Sequence, residues 1–394
     1  MHRLNNGFLP EPAGRVAARF RELFGGEPCL VRSPGRVNLI GEHTDYNEGF
    51  VLPAAIDKAI YFAVGVRPGE RAFLHSFDLG QNHEFSLRRI EKSDKHWPNY
   101  LMGIVDQLGR GGYPVGGFNC VFGGDIPIAA GMSSSAAIEA GLAFGLNKIF
   151  SLGLEPLALA KLAQKAENEF VGVRCGIMDM FVNIFGRARS VLKIDCRSLD
   201  YRYYPFERED LRVVLCDTRV KRELASSEYN VRRRQCEAGV ALLAKYNPGI
   251  RSLRDVTTDM LESHKTEFDP VILRRCAYVL AENRRVGEAC ADLERNDFAA
   301  FGRRMNASHD GLRDDYEVSS RELDVLVDAA RSVRGVLGAR MMGAGFGGCT
   351  ITLADVGAVD RLRETCVRAY KNHFGREPKF HISRLESGTE ILEH

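Results

Sequence analysis

The chain has 394 residues, 45% of them hydrophobic and 27% charged, and its 54 Lys+Arg against 52 Asp+Glu leave a formal net charge of +2. At about one domain per 150 residues this length suits two or three domains with a large buried core, and the balance of charge argues against a nucleic-acid or anionic-membrane partner, which would draw a basic excess. Ten cysteines without a CxxC pair argue against a zinc ribbon or thioredoxin-type site, and MHRLNNGFLPEPAGR contains no apolar leader core, so we expect a cytoplasmic protein with free, mostly buried thiols.

In chain order, CLVRS (29–33), AIYFAVGVR (59–67) and FNCVF (118–122) read as strands from their β-branched and aromatic content. A helix is expected from Ser133, with Ala137, Ile138, Leu142, Gly145 and Leu146 on one face. Another starts near Pro156, with Leu159, Leu162, Ala163, Ala166 and Phe170 inward and Glu167 at the edge of that face. Strands resume at 190–195 and 211–217, and the segment between them reads as a boundary that divides the chain into 1–205 and 206–394. Further on, Ser319 and Glu322 read as a capping box for a helix stopped by Gly335. The strand CTITLA, a helix over 359–374 and the strand FHISRL complete a split βαβ pattern, so the fold class is α+β.

The 39 glycines crowd into three stretches, 33–49, 123–135 and 335–348. In the middle one, GGDIPIAAGMSSSAA runs through three serines into a helix, where backbone N–H groups and the helix dipole favour an anion; the same serines would serve equally as N-caps. No GxxxxGK[ST] is present. The third stretch carries a GxGxxG at Gly343, Gly345 and Gly348, but a helix is expected before it and a strand after it, the reverse of a dinucleotide site. In the first stretch Arg36, Glu42, His43 and Asp45 crowd a segment expected to be loop, an arrangement of donors and acceptors suited to a ligand with vicinal hydroxyls; a metal site or a solvated turn is the alternative. Asp179 is a single acid in an apolar stretch, readable as an N-cap, a paired core charge or a general base.

Together these segments resemble the GHMP small-molecule kinases over nearly the whole chain, and within them the branch that phosphorylates galactose. GRVNLIGEHTDYNEGFVLP is similar to that branch's sugar signature, PIAAGMSSSAA to the family phosphate loop and CGIMD to its catalytic segment. LASSEYNVRRRQCE is similar to the segment carrying a sugar-contacting tyrosine, and GARMMGAGFGGCTITL to the third family motif. The resemblance implies a two-lobed fold, an N-terminal ribosomal-protein-like α/β domain plus a C-terminal ferredoxin-like α+β domain. It also implies ATP-dependent phosphorylation of the anomeric hydroxyl of α-D-galactose, the first committed step of its breakdown, with Mg²⁺ as cofactor. Asp179 would be the base and Arg36 the transition-state cation; Glu42, His43, Thr44, Asp45, Gly176 and Tyr229 would contact sugar. Ala129, Ala130, Gly131, Met132, Ser133, Ser134 and Ser135 would hold phosphate, Ser76, Trp97 and Tyr100 the adenine, and Ser135 with Glu167 the Mg²⁺. Met132, Met180, Met342 and Ala344 depart from the family pattern. The expected partners are galactose and MgATP, with no nucleic acid or membrane, on a monomer or weak homo-oligomer. The competing readings are a kinase for N-acetylgalactosamine or another sugar, and a non-catalytic galactose sensor.

Overall fold

The computed structural model describes residues 9–127, 131–173, 175–220 and 225–392. The amphipathic helix α1 (Glu11–Phe24) buries Ala13, Val16, Ala17 and Phe20, a stripe at spacings of three and four. It is followed by β1 (Cys29–Asn38), β2 (Phe50–Val51), β3 (Pro53–Val66), β4 (Arg71–Ser76), β5 (Gln81–Ser86), α2 (Trp97–Arg110) and β6 (Phe118–Gly124). Five of these strands form a six-stranded sheet ordered β13-β1-β3-β6-β4-β5, in which β13 (Glu390–Leu392) brings the end of the chain back beside β1. Helix α3 (Ser134–Ile149) lies on β1 and β3. The approach is so close that a Cβ at Gly141 would meet the Phe62 ring at 2.1 Å.

Helices α4 (Pro156–Lys165) and α5 (Met178–Phe185) follow, separated by a π-helical turn over Ala166–Val171, and β7 (Ser190–Asp195) and β8 (Tyr201–Pro205) join β2 in a small antiparallel sheet. The remainder is β9 (Leu211–Asp217), α6 (Ala225–Leu243), α7 (Thr258–Ser263), α8 (Pro270–Glu294), α9 (Phe298–Asp314), α10 (Arg321–Arg331), β10 (Val336–Met342), β11 (Cys349–Asp355), α11 (Val359–Phe374) and β12 (Lys379–Ser383). Its four-stranded antiparallel sheet is ordered β10-β11-β9-β12. Because β11 and β12 both pair antiparallel with β9 between them, β11-α11-β12 is the expected split βαβ unit. The largest apolar core is continuous across the halves: Val286, Ala289 and Leu293 of α8 and Phe301 of α9 pack in the same cluster as Leu39, Leu52 and Ile184. Among the described residues no helix is long and apolar enough to cross a membrane.

Three local expectations change. Strand β1 continues through Pro34 and Gly35 by a register shift, so Arg36 sits on a strand opposite Ala55 and not in a loop. The cap of α10 is Ser320, whose side chain accepts from the Leu323 N–H, while Ser319 turns aside to donate to Asp324 at 2.5 Å. Residues 336–342 form β10, so the GxGxxG lies in the turn between two antiparallel strands; a dinucleotide site still fails, now because no helix follows the glycines.

Candidate active site

The loop between β1 and β2 is anchored mainly by residues far along the chain. Arg340, fully buried on β10, donates to the carbonyls of Leu39 at 2.8 Å and Asn38 at 2.6 Å, and to Glu42 Oε1 at 3.1 Å. From α8, Tyr278 donates to the Glu42 carbonyl at 3.1 Å, while Glu282 and Asn283 accept from the N–H groups of Gly41 and Phe50, both at 2.9 Å. Thr44 closes the loop from inside, its hydroxyl 2.8 Å from the Gly41 carbonyl and 2.6 Å from that of Phe50. With its backbone groups satisfied, the loop holds its side chains in one geometry.

Those side chains have strongly perturbed chemistry. Burial pushes the Glu42 carboxyl upward, but Arg340, the Gly343 N–H at 2.8 Å, Asn38 and Arg36 outweigh it and hold Glu42 below its ordinary range. Burial lowers His43 to about 4, against smaller opposing effects of Glu42 and of a hydrogen bond to the Ala344 backbone, so it is a neutral imidazole with Nδ1 on the Tyr46 hydroxyl at 2.8 Å. Asp45 is raised to about 6 by burial, with Asp179 and Glu42 adding to the effect. Its carboxylate lies against Gly176, where a Cβ would come within 2.2 Å of Oδ2. Tyr229 of α6 packs over this group, its ring centroid 5.0 Å from Tyr46 and 5.8 Å from His43.

Arg36 and Asp179 meet as a two-pronged pair, Nε to Oδ1 at 2.7 Å and Nη2 to Oδ2 at 2.8 Å. The third Arg36 nitrogen donates to the Gly131 carbonyl at 2.5 Å, and its backbone N–H to the Met132 carbonyl at 3.1 Å, which ties the pair to the segment that leads into α3. Ser133, in left-handed backbone at φ 53°, donates its hydroxyl to Asp179 Oδ2. Asp179 stands in the first turn of α5 with its side chain about a quarter exposed to a cleft of about 1210 Å³.

On the opposite side of Asp179 is an acidic group. Ser135 is in the first turn of α3, and Glu167, on the π-helical turn, is buried near it. Burial, then Asp179, raise Glu167 to about 7, while Cys175, Ser135 and Glu139 moderate the shift. A π-turn re-aims a side chain that a regular helix would carry elsewhere, which accounts for Glu167 pointing in from the edge of an apolar face.

Model matches to sequence families follow this geometry. The galactokinase galactose-binding signature matches residues 18–66, the GHMP kinases N terminal domain residues 99–187 and the GHMP kinases C terminal domain residues 289–372. The galactokinase of Roseiflexus sp. (strain RS-1) is 45% identical over 379 residues, 95% of this chain and 96% of its own length. The chain belongs to the galactokinase family. It is accordingly a phosphotransferase with the GHMP kinase fold. The galactokinase of Staphylococcus carnosus (strain TM300) is 41% identical over 96% of this chain and 99% of its own. Among solved structures, the Lactococcus lactis galactokinase complexed with galactose superposes with a TM-score of 0.91 at 35% identity, covering 96% of this chain and 99% of that one. A Methanococcus jannaschii mevalonate kinase, at TM-score 0.65, 19% identity and coverage of 92% and 99%, shares the fold.

Of the residues expected from sequence, the galactokinase cleft brings together Arg36, Glu42, His43, Asp45, Gly131, Met132, Ser133, Ser134, Ser135, Glu167, Gly176, Asp179 and Tyr229 on its walls. Ala129 and Ala130 lie outside the described residues. Thr44 is buried with its hydroxyl engaged by the loop, and Ser76, Trp97 and Tyr100 are not on the cleft wall. Trp97 Nε1 donates to Gln81 at 2.9 Å and its ring packs on Phe122, whereas half-buried Tyr100 is near enough to Glu167 and Glu139 for them to add to the upward push that burial gives its hydroxyl. Met180 and Met342 are fully buried in the core. Sequence reasoning missed Arg340 and the α8 trio, as well as Arg219, Arg233 and Arg234, which line the cleft beside Tyr229. The arginine run after Tyr229 was the available signal for two of these.

Proposed function

We infer that this galactokinase transfers the γ-phosphoryl group of ATP to the anomeric hydroxyl of α-D-galactose, giving galactose 1-phosphate and ADP. The observation that carries this reading is Asp179, forked by Arg36, standing between the loop of Glu42, His43 and Asp45 and the loop of Gly131 to Ser135. A sugar held by the first loop presents a hydroxyl to Asp179, which takes the proton as the hydroxyl oxygen attacks phosphorus in line. Arg36 bridges base and phosphate loop, so its guanidinium is placed to meet the charge that spreads over the transferred group. Glu42 and Asp45 accept from sugar hydroxyls, neutral His43 adds an imidazole to the same wall, and Tyr229 covers the ring.

The donor set next to Asp179 fits a hard divalent cation: one hydroxyl and one carboxylate, oxygen only, beside a phosphate loop. Ser135 and Glu167 would hold Mg²⁺, which when bound neutralises charge on the phosphate oxygens of ATP. The adenine extends past Glu167 toward Tyr100, with Trp97 and Ser76 beyond. Residues 1–205 and 206–394 are read as two lobes that share a core, with β13 of the second returning to the sheet of the first; the end of β8 at Pro205 and the start of β9 at Leu211, in different sheets, support that boundary.

The test is ADP release with MgATP over galactose, N-acetylgalactosamine, glucose and mannose, with product stereochemistry read by NMR. Galactose turning over fastest to the α-1-phosphate is expected. Faster turnover of another sugar would overturn the substrate, and calorimetric galactose binding with no ADP from any sugar would make the protein a sensor.

A further inference from the structure

Glu139 lies one helical turn after Ser135 on α3, on the same side of the helix. It is completely buried, 0% exposed, and no cation, N–H or hydroxyl meets either carboxyl oxygen; the group that reaches it is the carboxyl of Glu167. Its neighbours on the helix, Ala136, Ala137, Ala140 and Leu142, are buried and apolar. A carboxyl in such surroundings destabilises the fold unless something compensates it, and a neutral side chain of the same size would pack there at lower free energy. Glu139 shares a hydrogen bond with the other acid of the site: burial, then Glu167, then Asp179 push Glu139 well above the ordinary carboxylate range.

We propose that Glu139 is a third protein oxygen donor to the divalent cation, directly or through one water, completing a set with the Ser135 hydroxyl and the Glu167 carboxylate. This rests on reading Ser135 and Glu167 as the cation pair. Two carboxylates and a hydroxyl differ in kind from one carboxylate and a hydroxyl: the larger set holds a bare cation without nucleotide, so the metal-loaded protein becomes a state of its own.

The probe is Mn²⁺ alone, its free fraction counted by electron paramagnetic resonance during titration of the full chain, then repeated with ADP. Wild type is expected to bind one Mn²⁺ in both series. Glu139→Gln should weaken Mn²⁺ at least about 10-fold, the scale of losing an oxygen that orients or ligates the metal, and leave the calorimetric galactose Kd unchanged. Glu139→Gln is also expected to raise the metal-free Tm while losing the further rise on adding Mn²⁺, and Glu139→Asp, one methylene shorter, should bind with intermediate affinity. If Glu139→Gln binds Mn²⁺ as wild type does while Glu167→Gln does not, the inference is overturned and the Ser135–Glu167 pair stands. If neither variant changes Mn²⁺ binding, or wild type binds none in either series, both readings are overturned.

Discussion

The two sides of the cleft are built on opposite principles. On the sugar side, backbone carbonyls and N–H groups of residues 38–50 are met by Arg340, Tyr278, Glu282, Asn283 and Thr44, and Glu42 has both a cation and an N–H. On the phosphate side, buried Glu139 meets no cation, only the second acid Glu167, which beside Asp179 is raised to about 7. A neutral, hydroxyl-rich ligand needs donors and acceptors fixed beforehand, because each misdirected hydrogen bond loses affinity with no long-range attraction to recover it. A polyanion with its cation supplies its own charge, and carboxylates strained by mutual repulsion are relieved when the cation arrives. The sugar half is thus preorganised, and the phosphate half is poised.

The pair that joins the halves gives the largest expected effect. Asp179→Asn keeps shape and removes the proton acceptor, so kcat should fall by about 10² to 10⁴ with galactose Kd little changed; turnover within about twofold of wild type would break the assignment. Arg36→Lys keeps charge but cannot span both Asp179 oxygens and Gly131 at once, and a fall in kcat of about 10² is expected. Equal losses in galactose affinity would mean that Arg36 belongs to the sugar half alone.

The comparison also separates a structural test from a chemical one. Arg340→Met strips the buried partner from Glu42 and takes a donor from the carbonyls of Asn38, Leu39 and Met341, so stability should drop by about 3–5 kcal/mol, read as a shift in the denaturant midpoint. Arg340→Lys restores charge without the fork and should recover part of that stability while the galactose KM stays raised. A normal KM in Arg340→Lys would show that Glu42 needs no orientation. Smaller again is Gly176→Ala: its Cβ forces the Asp45 carboxylate to rotate, and a displacement on the 1 Å scale lowers kcat/KM for galactose by up to about 10²-fold, with Mn²⁺ binding unaffected.

Arg36, Glu42, His43 and Asp45 were legible because charged residues stacked between glycines are out of place in an ordinary strand–turn segment, and Ser135 because a serine run opens a helix. Arg340 was not, since its partners Asn38 and Leu39 are 302 and 301 residues away and no local period encodes that meeting. Its own strand was hidden by the glycines that follow it. Glu139 was passed over for a related reason: on a helical wheel it reads as one polar residue in an apolar run, and only its complete burial against a second acid shows that it is unusual. Thr44 shows the converse, a polar residue in a functional stretch whose hydroxyl serves the loop.

Asp45 carries the most delicate difference between the halves, because it belongs to the sugar loop yet feels Asp179 and Glu42. Its folded value of about 6 lies above the ordinary 3.8, so the folded state holds this proton more tightly than the unfolded chain. As pH rises from about 4 to 6 the unfolded chain releases the proton first, and the apo protein loses stability through that window. Galactose reverses the preference, since an ionised Asp45 accepts from two hydroxyls where the acid keeps one oxygen as donor. Galactose Kd should therefore fall as pH rises from 5 to 7, with an inflection near 6, while the apo Tm declines between about pH 4 and 6. In Asp45→Asn the inflection in Kd should vanish, and the share of the Tm slope due to this residue should go with it. Persistence of the same inflection in Asp45→Asn would assign it to a neighbour and remove Asp45 from the groups that titrate with the sugar.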